Sequence, residues 1–329
     1  MKASDFVPPP RGDFPVWLRC LSLVLLYGLV LPIAKTLELL RVRAGVIGRG
    51  PPEDIEAFRH YTPSKHDVVV CSYVKAGTTW TLQIATQIAF RGEAEFANIH
   101  HVVPWPDVPF PPMQKRMIPL GDPSPAACSP TGLRVIKTHL RKEHVPFTRE
   151  ARYIAVVRDP KDCCVSFYHF LKALALGPAM PSVARWVDGM FSPKFSQPWA
   201  EHLAGYWAAR HEPNVLFITY EEMKRDHAGS VRKIAAFMGV DLTPDEVAKV
   251  VQLSSFAGMK AVAAKFEPGR VMPWSKDSAM LRRGTSGGSG ELLTPEQQRH
   301  IDDYCRAELK RLDCDFPYDE AFSVAGGGV

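Results

Sequence analysis

At 329 residues and 46% hydrophobic, the chain can bury one sizeable core, and about two domains is the most its length permits. A formal charge of +5, carried without a long basic run or an interleaved aromatic stripe, excludes a nucleic-acid track and points to local anion sites. Seven cysteines, with Cys163 and Cys164 adjacent and no C-x-x-C spacing, argue against a zinc framework and fit reduced thiols in a cytosolic compartment. His60, His66, His100, His101 and His144 lack the spacing of a metal-ligand set and read as surface or loop residues, so no metal is expected.

The first element is a hydrophobic leader, residues 1–50. Within it Cys20 to Ala34 is an uncharged run of fifteen bounded by Arg19 and Lys35. A bilayer crossing needs about 20 apolar residues, so three readings stand open: an interfacial helix, a marginal anchor that recruits Phe14 to Leu18, or a helix packed on protein. Lys35, Arg41, Arg43 and Arg49 outnumber Lys2 and Arg11, so an anchored chain keeps its catalytic part on the cytoplasmic face. The expectation is peripheral or single-helix membrane association.

After a Gly/Pro break at Gly48 to Pro52, a helix-like stretch at Glu53 to His60 leads into a strand at Val68 to Ser72. Trp80, Ile84 and Ile88 then recur every four residues, a helix stripe from which Gln83 and Gln87 face away. His100 to Pro130 is dense in proline and carries Trp105, Phe110 and Met113, which suits an irregular lid able to wall an apolar pocket or, equally, a structural surface loop. Further strands read at Leu133 to Ile136, Tyr153 to Val157 and Val215 to Thr219, with a helix at Cys163 to Leu174. Thr243-Pro244-Asp245-Glu246 and Thr294-Pro295-Glu296-Gln297 each give a capping residue, an N1 proline and an acid or amide at N3. This alternation predicts an α/β chain, a P-loop-like three-layer fold with a central mainly parallel sheet flanked by helices. Its functional loops belong at the carboxyl ends of the strands.

Chemistry-bearing residues stand at those ends. After Ser72 come Lys75, Gly77, Thr78 and Thr79: a mobile cation, a glycine that lets the backbone come close, and two hydroxyls at the start of a helix whose first amides lack partners. That is a seat for a phosphate or sulfate. The usual nucleotide loop puts its lysine after the last glycine, whereas Lys75 precedes Gly77 by two residues, which weakens an ordinary ATPase reading. Lys137 and His139 fall on one side of an extended segment, a cation beside a group able to accept a proton near neutrality. Arg158 follows the next strand, ahead of an Asp159 cap and an N1 proline, and Ser166 lies two turns into that helix.

The string Lys75-Ala76-Gly77-Thr78-Thr79-Trp80 resembles the phosphosulfate loop of the cytosolic sulfotransferase family, with Val74 where that loop has proline. Lys137-Thr138-His139 resembles the family's catalytic histidine segment, and Arg158 through Ser166 the segment that binds the 3′-phosphate of its cofactor. Thr219 to Met223, Ser254 to Lys260 and Leu281 to Gly284 follow in the family's order. The resemblance covers Pro63 to Gly290 and implies a catalytic domain over 51–329 that uses 3′-phosphoadenosine 5′-phosphosulfate (PAPS), without metal.

It further implies that His139 removes the acceptor proton, that Lys75 and Lys137 stabilise the transferring group, and that Ser166 holds Lys75 and the 3′-phosphate. Tyr220, Ser254, Phe256 and Met259 then border the nucleotide, and Arg282, Arg283 and Gly284 close on the 3′-phosphate. The acceptor expected is a small hydrophobic, lipid-like alcohol or an amine. Gly287-Gly288-Ser289-Gly290 replaces the family's Gly-Asp-Trp-Lys, and its carboxyl-terminal dimerisation string is not recognisable. A P-loop-type kinase or ATPase, or an inactive membrane-associated cofactor-binding protein, are the rival readings.

Overall fold

The computed structural model describes Leu21 and residues 57–108, 117–193, 195, 198–267 and 280–322. The leader lies outside the described residues apart from Leu21, as do 53–56 and the lid residues Phe110 and Met113. Among the described residues no helix is long and apolar enough to cross a membrane.

All six residues of β1 (Asp67–Ser72) are buried, the pattern of a strand covered on both faces at the centre of a parallel sheet. It pairs in parallel with β2 (Arg134–Thr138) and with β3 (Arg152–Val157), which pairs in parallel with β4 (Val215–Thr219), giving the order β2-β1-β3-β4. Cys71 is level with Thr138 and Ala155, and Val157 with Thr219, so the four carboxyl ends share one edge. At the other ends of β1 and β2, Arg134 Nε donates to Asp67 Oδ1 at 2.7 Å, a buried pair that fixes their register away from the site.

The helices used below are α1 (Thr78–Ala89), α2 (Pro160–Leu171), α3 (Trp199–Ala208), α4 (Tyr220–Arg225), α5 (His227–Met238), α6 (Pro244–Ser254), α7 (Phe256–Ala261) and α8 (Pro295–Arg311). Val68, Val70, Val135, Ile154 and Ile218 face one side of the sheet and pack with Leu82 and Ile88 of α1, Val231 and Ile234 of α5 and Val250 of α6. Val69, Cys71, Ile136 and Ala155 face the other, where Phe217 links them to a cluster built from α2, α3 and α8. The expected layers of helix, parallel sheet and helix are thus present.

Local details depart from expectation for physical reasons. Gln83 and Gln87, off the apolar stripe of α1, are buried all the same: α6 covers that side, and the amides donate to the Leu253 and Ala94 carbonyls, each at 3.2 Å. β2 runs beyond Ile136 to include Lys137 and Thr138. His100 and His101, read as surface or loop residues, are buried in a single turn, with His100 Nδ1 bonded to the Val103 carbonyl at 3.1 Å. Both predicted capping boxes form, at Thr243 with Glu246 and at Thr294 with Gln297.

Asp159 caps α2 by accepting from the Lys161 amide at 2.8 Å, with Pro160 at the first turn. The fully buried Lys161 ammonium lies 3.2 Å from Asp159 and 2.5 Å from Asp302 of α8, and the Tyr318 hydroxyl donates to the same Asp302 oxygen. A buried cation is tolerated only when paired and hydrogen-bonded, so this knot fixes α2 against α8. It thereby holds in place the helix that carries Ser166.

Candidate active site

The chain leaves β1 through Tyr73 and Val74 and turns at Lys75, whose φ of 65° is uncommon for a residue with a side chain. Gly77, at φ 98°, is the N-cap of α1 and carries no side-chain cap bond, so the first amides of that helix remain open to an anion. A Cβ on Gly77 would stand 2.6 Å from Cδ2 of Tyr220, so only glycine fits this approach to α4. Thr78 Oγ1 is hydrogen-bonded to Ser72 Oγ at 2.7 Å. The Lys75 ammonium lies 4.1 Å from the Phe170 ring centroid, and burial, with Arg158 adding to it, lowers its pKa to about 8.

Arg158, at the end of β3, reaches the same corner. Its Nη1 donates to the Lys75 carbonyl at 3.3 Å, while Nη2 donates to Asp162 at 3.0 Å and to the Thr285 carbonyl at 2.8 Å. Its Nε is buried and has no partner, an orphan donor of the sort that a phosphate oxygen satisfies. Ser166 is half-buried one turn before Phe170 on α2. The two sides of the predicted anion site are therefore contiguous.

Lys137 and His139 meet at Trp105. The Lys137 ammonium is 3.1 Å from the Trp105 ring centroid, His139 packs edge-on to that ring, and His100 stacks on it. His139 Nδ1 lies 2.7 Å from the Ser72 carbonyl, which can only accept, so Nδ1 carries the proton and Nε2 keeps its lone pair. Burial, reinforced by Lys137, holds its pKa well below the usual imidazole range. The Asp107 carboxylate accepts from the His139 amide at 2.8 Å, and burial raises its pKa while lowering that of Lys137.

On the other side of Gly77, the Tyr220 ring contacts Trp80 at a centroid separation of 5.3 Å and lies 4.3 Å from the Arg158 guanidinium carbon. Trp80 Nε1 donates to the Ser254 carbonyl at 2.8 Å, and the buried Ser254 hydroxyl is 2.9 Å from His227 Nε2. Phe256 is 39% exposed and abuts Gly284, where a Cβ would fall 2.3 Å from its ring. Met259, by contrast, is buried in the core beneath α7, and Arg282 and Arg283 are both paired with Glu291. Asp107, Phe170, His227 and Glu291 were not read from the sequence. Of these only Glu291, directly after the altered Gly287 to Gly290, carried any local signal.

Open amides at a helix start, an unpartnered guanidinium Nε at the neighbouring strand end, the Tyr220 ring beside it and a neutral imidazole are parts that group transfer from an anionic nucleotide requires. The model of the sulfotransferase domain matches residues 65–313, and the chain belongs to that family. It is therefore an enzyme of the sulfuryl-transferring class, which removes the ground for the kinase or ATPase reading.

Sulfotransferase 1C2 of Oryctolagus cuniculus is 30% identical over 260 residues, covering 76% of this chain and 85% of the relative. Luciferin sulfotransferase of Photinus pyralis is 31% identical over 281 residues, covering 77% and 74%. Among solved structures, mouse sulfotransferase SULT7A1 complexed with PAP aligns at a TM-score of 0.60 and 27% identity over 79% of this chain and 92% of that one. Retinol dehydratase in complex with androsterone and PAP shares the fold at a TM-score of 0.65 and 22% identity, over 82% and 87%. Among the described residues no group of three or more His, Cys, Asp or Glu is placed to hold a metal.

Proposed function

We propose that the protein transfers the sulfuryl group of PAPS to a hydroxyl or amine of a small hydrophobic acceptor, with residues 1–50 attaching the domain over 51–329 to the cytoplasmic face of a membrane. PAPS supplies the activated sulfuryl group and a phosphate leaving group. The carrying observation is the union of Lys75, the open α1 amides and Arg158 in one corner, with Nη1 of Arg158 on the Lys75 carbonyl. The orphan Arg158 Nε fits a phosphorylated nucleotide.

In this reading Lys75 with Ala76, Gly77, Thr78 and Thr79 grips the 5′ end, and Arg158 and Ser166 grip the 3′-phosphate, on which Arg282, Arg283 and Gly284 close. Trp80, Tyr220, Ser254 and Phe256 border the base. His139 Nε2 accepts the acceptor proton, and Lys137, 3.1 Å from the Trp105 ring centroid, faces the developing negative charge. Trp105 walls the acceptor side, and the apolar lid and hydrophobic leader read from the sequence favour a lipid-like alcohol over a polar one. The placement of both Lys75 and His139 supports catalysis rather than an inactive binding role.

Transfer of label from radioactive PAPS to a panel of phenols, sterols, long-chain alcohols and amines, with a chelator present, tests the proposal. Labelled product is expected with apolar alcohols at an undiminished rate in chelator. Transfer that requires added divalent metal, or none to any acceptor by a chain that binds PAP, contradicts it.

A further inference from the structure

The Arg282–Arg283 pair, expected to close on a phosphate, already holds an anion of the chain's own. One carboxylate oxygen of Glu291 pairs with Nη2 of Arg282 and the other with Nη1 of Arg283. His169 Nε2 lies 3.6 Å from the first oxygen, and the Glu291 side chain is only 14% exposed. His169 lies one turn after Ser166 and next to the Phe170 that touches Lys75, so this carboxylate sits beside the α2 face proposed to line the nucleotide site. Arg282 is also near enough to Lys75 to depress its pKa.

Two carboxylates, then, fasten the segment 281–291. Asp162 accepts from Arg158 at 3.0 Å and from the Gly287 amide at 2.9 Å, and Glu291 takes both arginines. Their roles differ: Asp162 leaves Arg158 Nε open, whereas Glu291 sits directly between two guanidiniums as a phosphate would. Glu291 directly follows the glycine-rich stretch Gly287-Gly288-Ser289-Gly290.

We infer that Glu291 is an internal competitor for the 3′-phosphate, an affinity- and specificity-determining residue that weakens the preference for nucleotides bearing that group. The inference rests on the proposed PAPS site. A 3′-phosphate entering the Arg282–Arg283 fork must displace a carboxylate that already makes charge-assisted bonds, and the displaced carboxylate remains nearby as a like charge. A nucleotide without the 3′-phosphate leaves the Glu291 pairs undisturbed and is unaffected.

Calorimetric binding of PAP and of adenosine 5′-phosphosulfate, which lacks the 3′-phosphate, to the full chain and to Glu291→Gln and Glu291→Ala tests this. PAP is expected to bind about tenfold more tightly to both variants, a gain of one decade in Kd, with adenosine 5′-phosphosulfate unchanged. Weaker PAP binding in both variants shows that Glu291 instead orders the arginines and overturns the inference. Equal change for the two nucleotides overturns it as well. Absence of PAP binding by the unaltered chain refutes the site itself, an outcome distinct from a wrong sign at Glu291. Circular dichroism identifies any variant that has not folded, and the other variant then decides.

Discussion

His139→Ala abolishes sulfuryl transfer while PAP binds with near-unchanged affinity. The hydrogen bond from Nδ1 to the Ser72 carbonyl fixes one tautomer and leaves Nε2 as the acceptor. Burial and the neighbouring Lys137 keep the ring neutral at pH 7, so the base is ready without losing a proton first. A positioned general base contributes roughly a hundredfold to ten-thousandfold, and the loss should fall on kcat. Because the shift is downward, protonation of His139 inactivates the enzyme only below its ordinary value of about 6.5, and the acid limb of kcat/KM lies there. Rate measurements paired with calorimetry check the prediction. Equal losses in binding and turnover place His139 in the nucleotide site and not at the reacting atom.

Lys75→Ala lowers turnover about a hundredfold or more, the usual effect of removing one preorganised donor, and weakens PAP binding as well. Its ammonium lies beside the Phe170 ring, on a residue whose carbonyl holds Arg158, so the charge has little freedom to be elsewhere. The pH dependence carries a sign. With the pKa lowered to about 8 in the ligand-free site, Lys75 is charged below pH 8 and loses its proton above it. A bound phosphate raises that pKa, so binding takes up a proton above pH 8, and the affinity for PAP falls by up to about one decade per pH unit there. Lys75→Ala should remove most of that slope. A slope unchanged in the variant assigns the titration to another group, Lys137 being the neighbouring lysine whose pKa burial also lowers.

The sheet was legible because its strands are apolar on both faces: Val68-Val69-Val70 reads as a central strand before any contact is known. The turn into α1 at Gly77, the α2 cap and both capping boxes were legible because local geometry dictates those residue types. The features that stayed hidden depend on distant chain. Gln83 and Gln87 stand off the apolar stripe, and their burial appears only when α6, some 160 residues later, covers the helix and supplies the Leu253 carbonyl to Gln83. Asp107 emerges as a partner of His139 only when a proline-rich loop folds over the end of β2. Arg282 and Arg283 were legible as cations, but their pairing with Glu291 is a tertiary event. Met259 followed from the order of segments, and the structure buries its side chain in the core.

A crystal structure of the protein with PAP and a bound acceptor alcohol tests the central claim most directly. The 5′-phosphate should lie on the first amides of α1 beside Lys75, the 3′-phosphate on Arg158, and the acceptor oxygen should be hydrogen-bonded to Nε2 of His139. A nucleotide bound away from the carboxyl ends of β1 and β3, or a His139 whose Nε2 faces protein and not the acceptor, contradicts it.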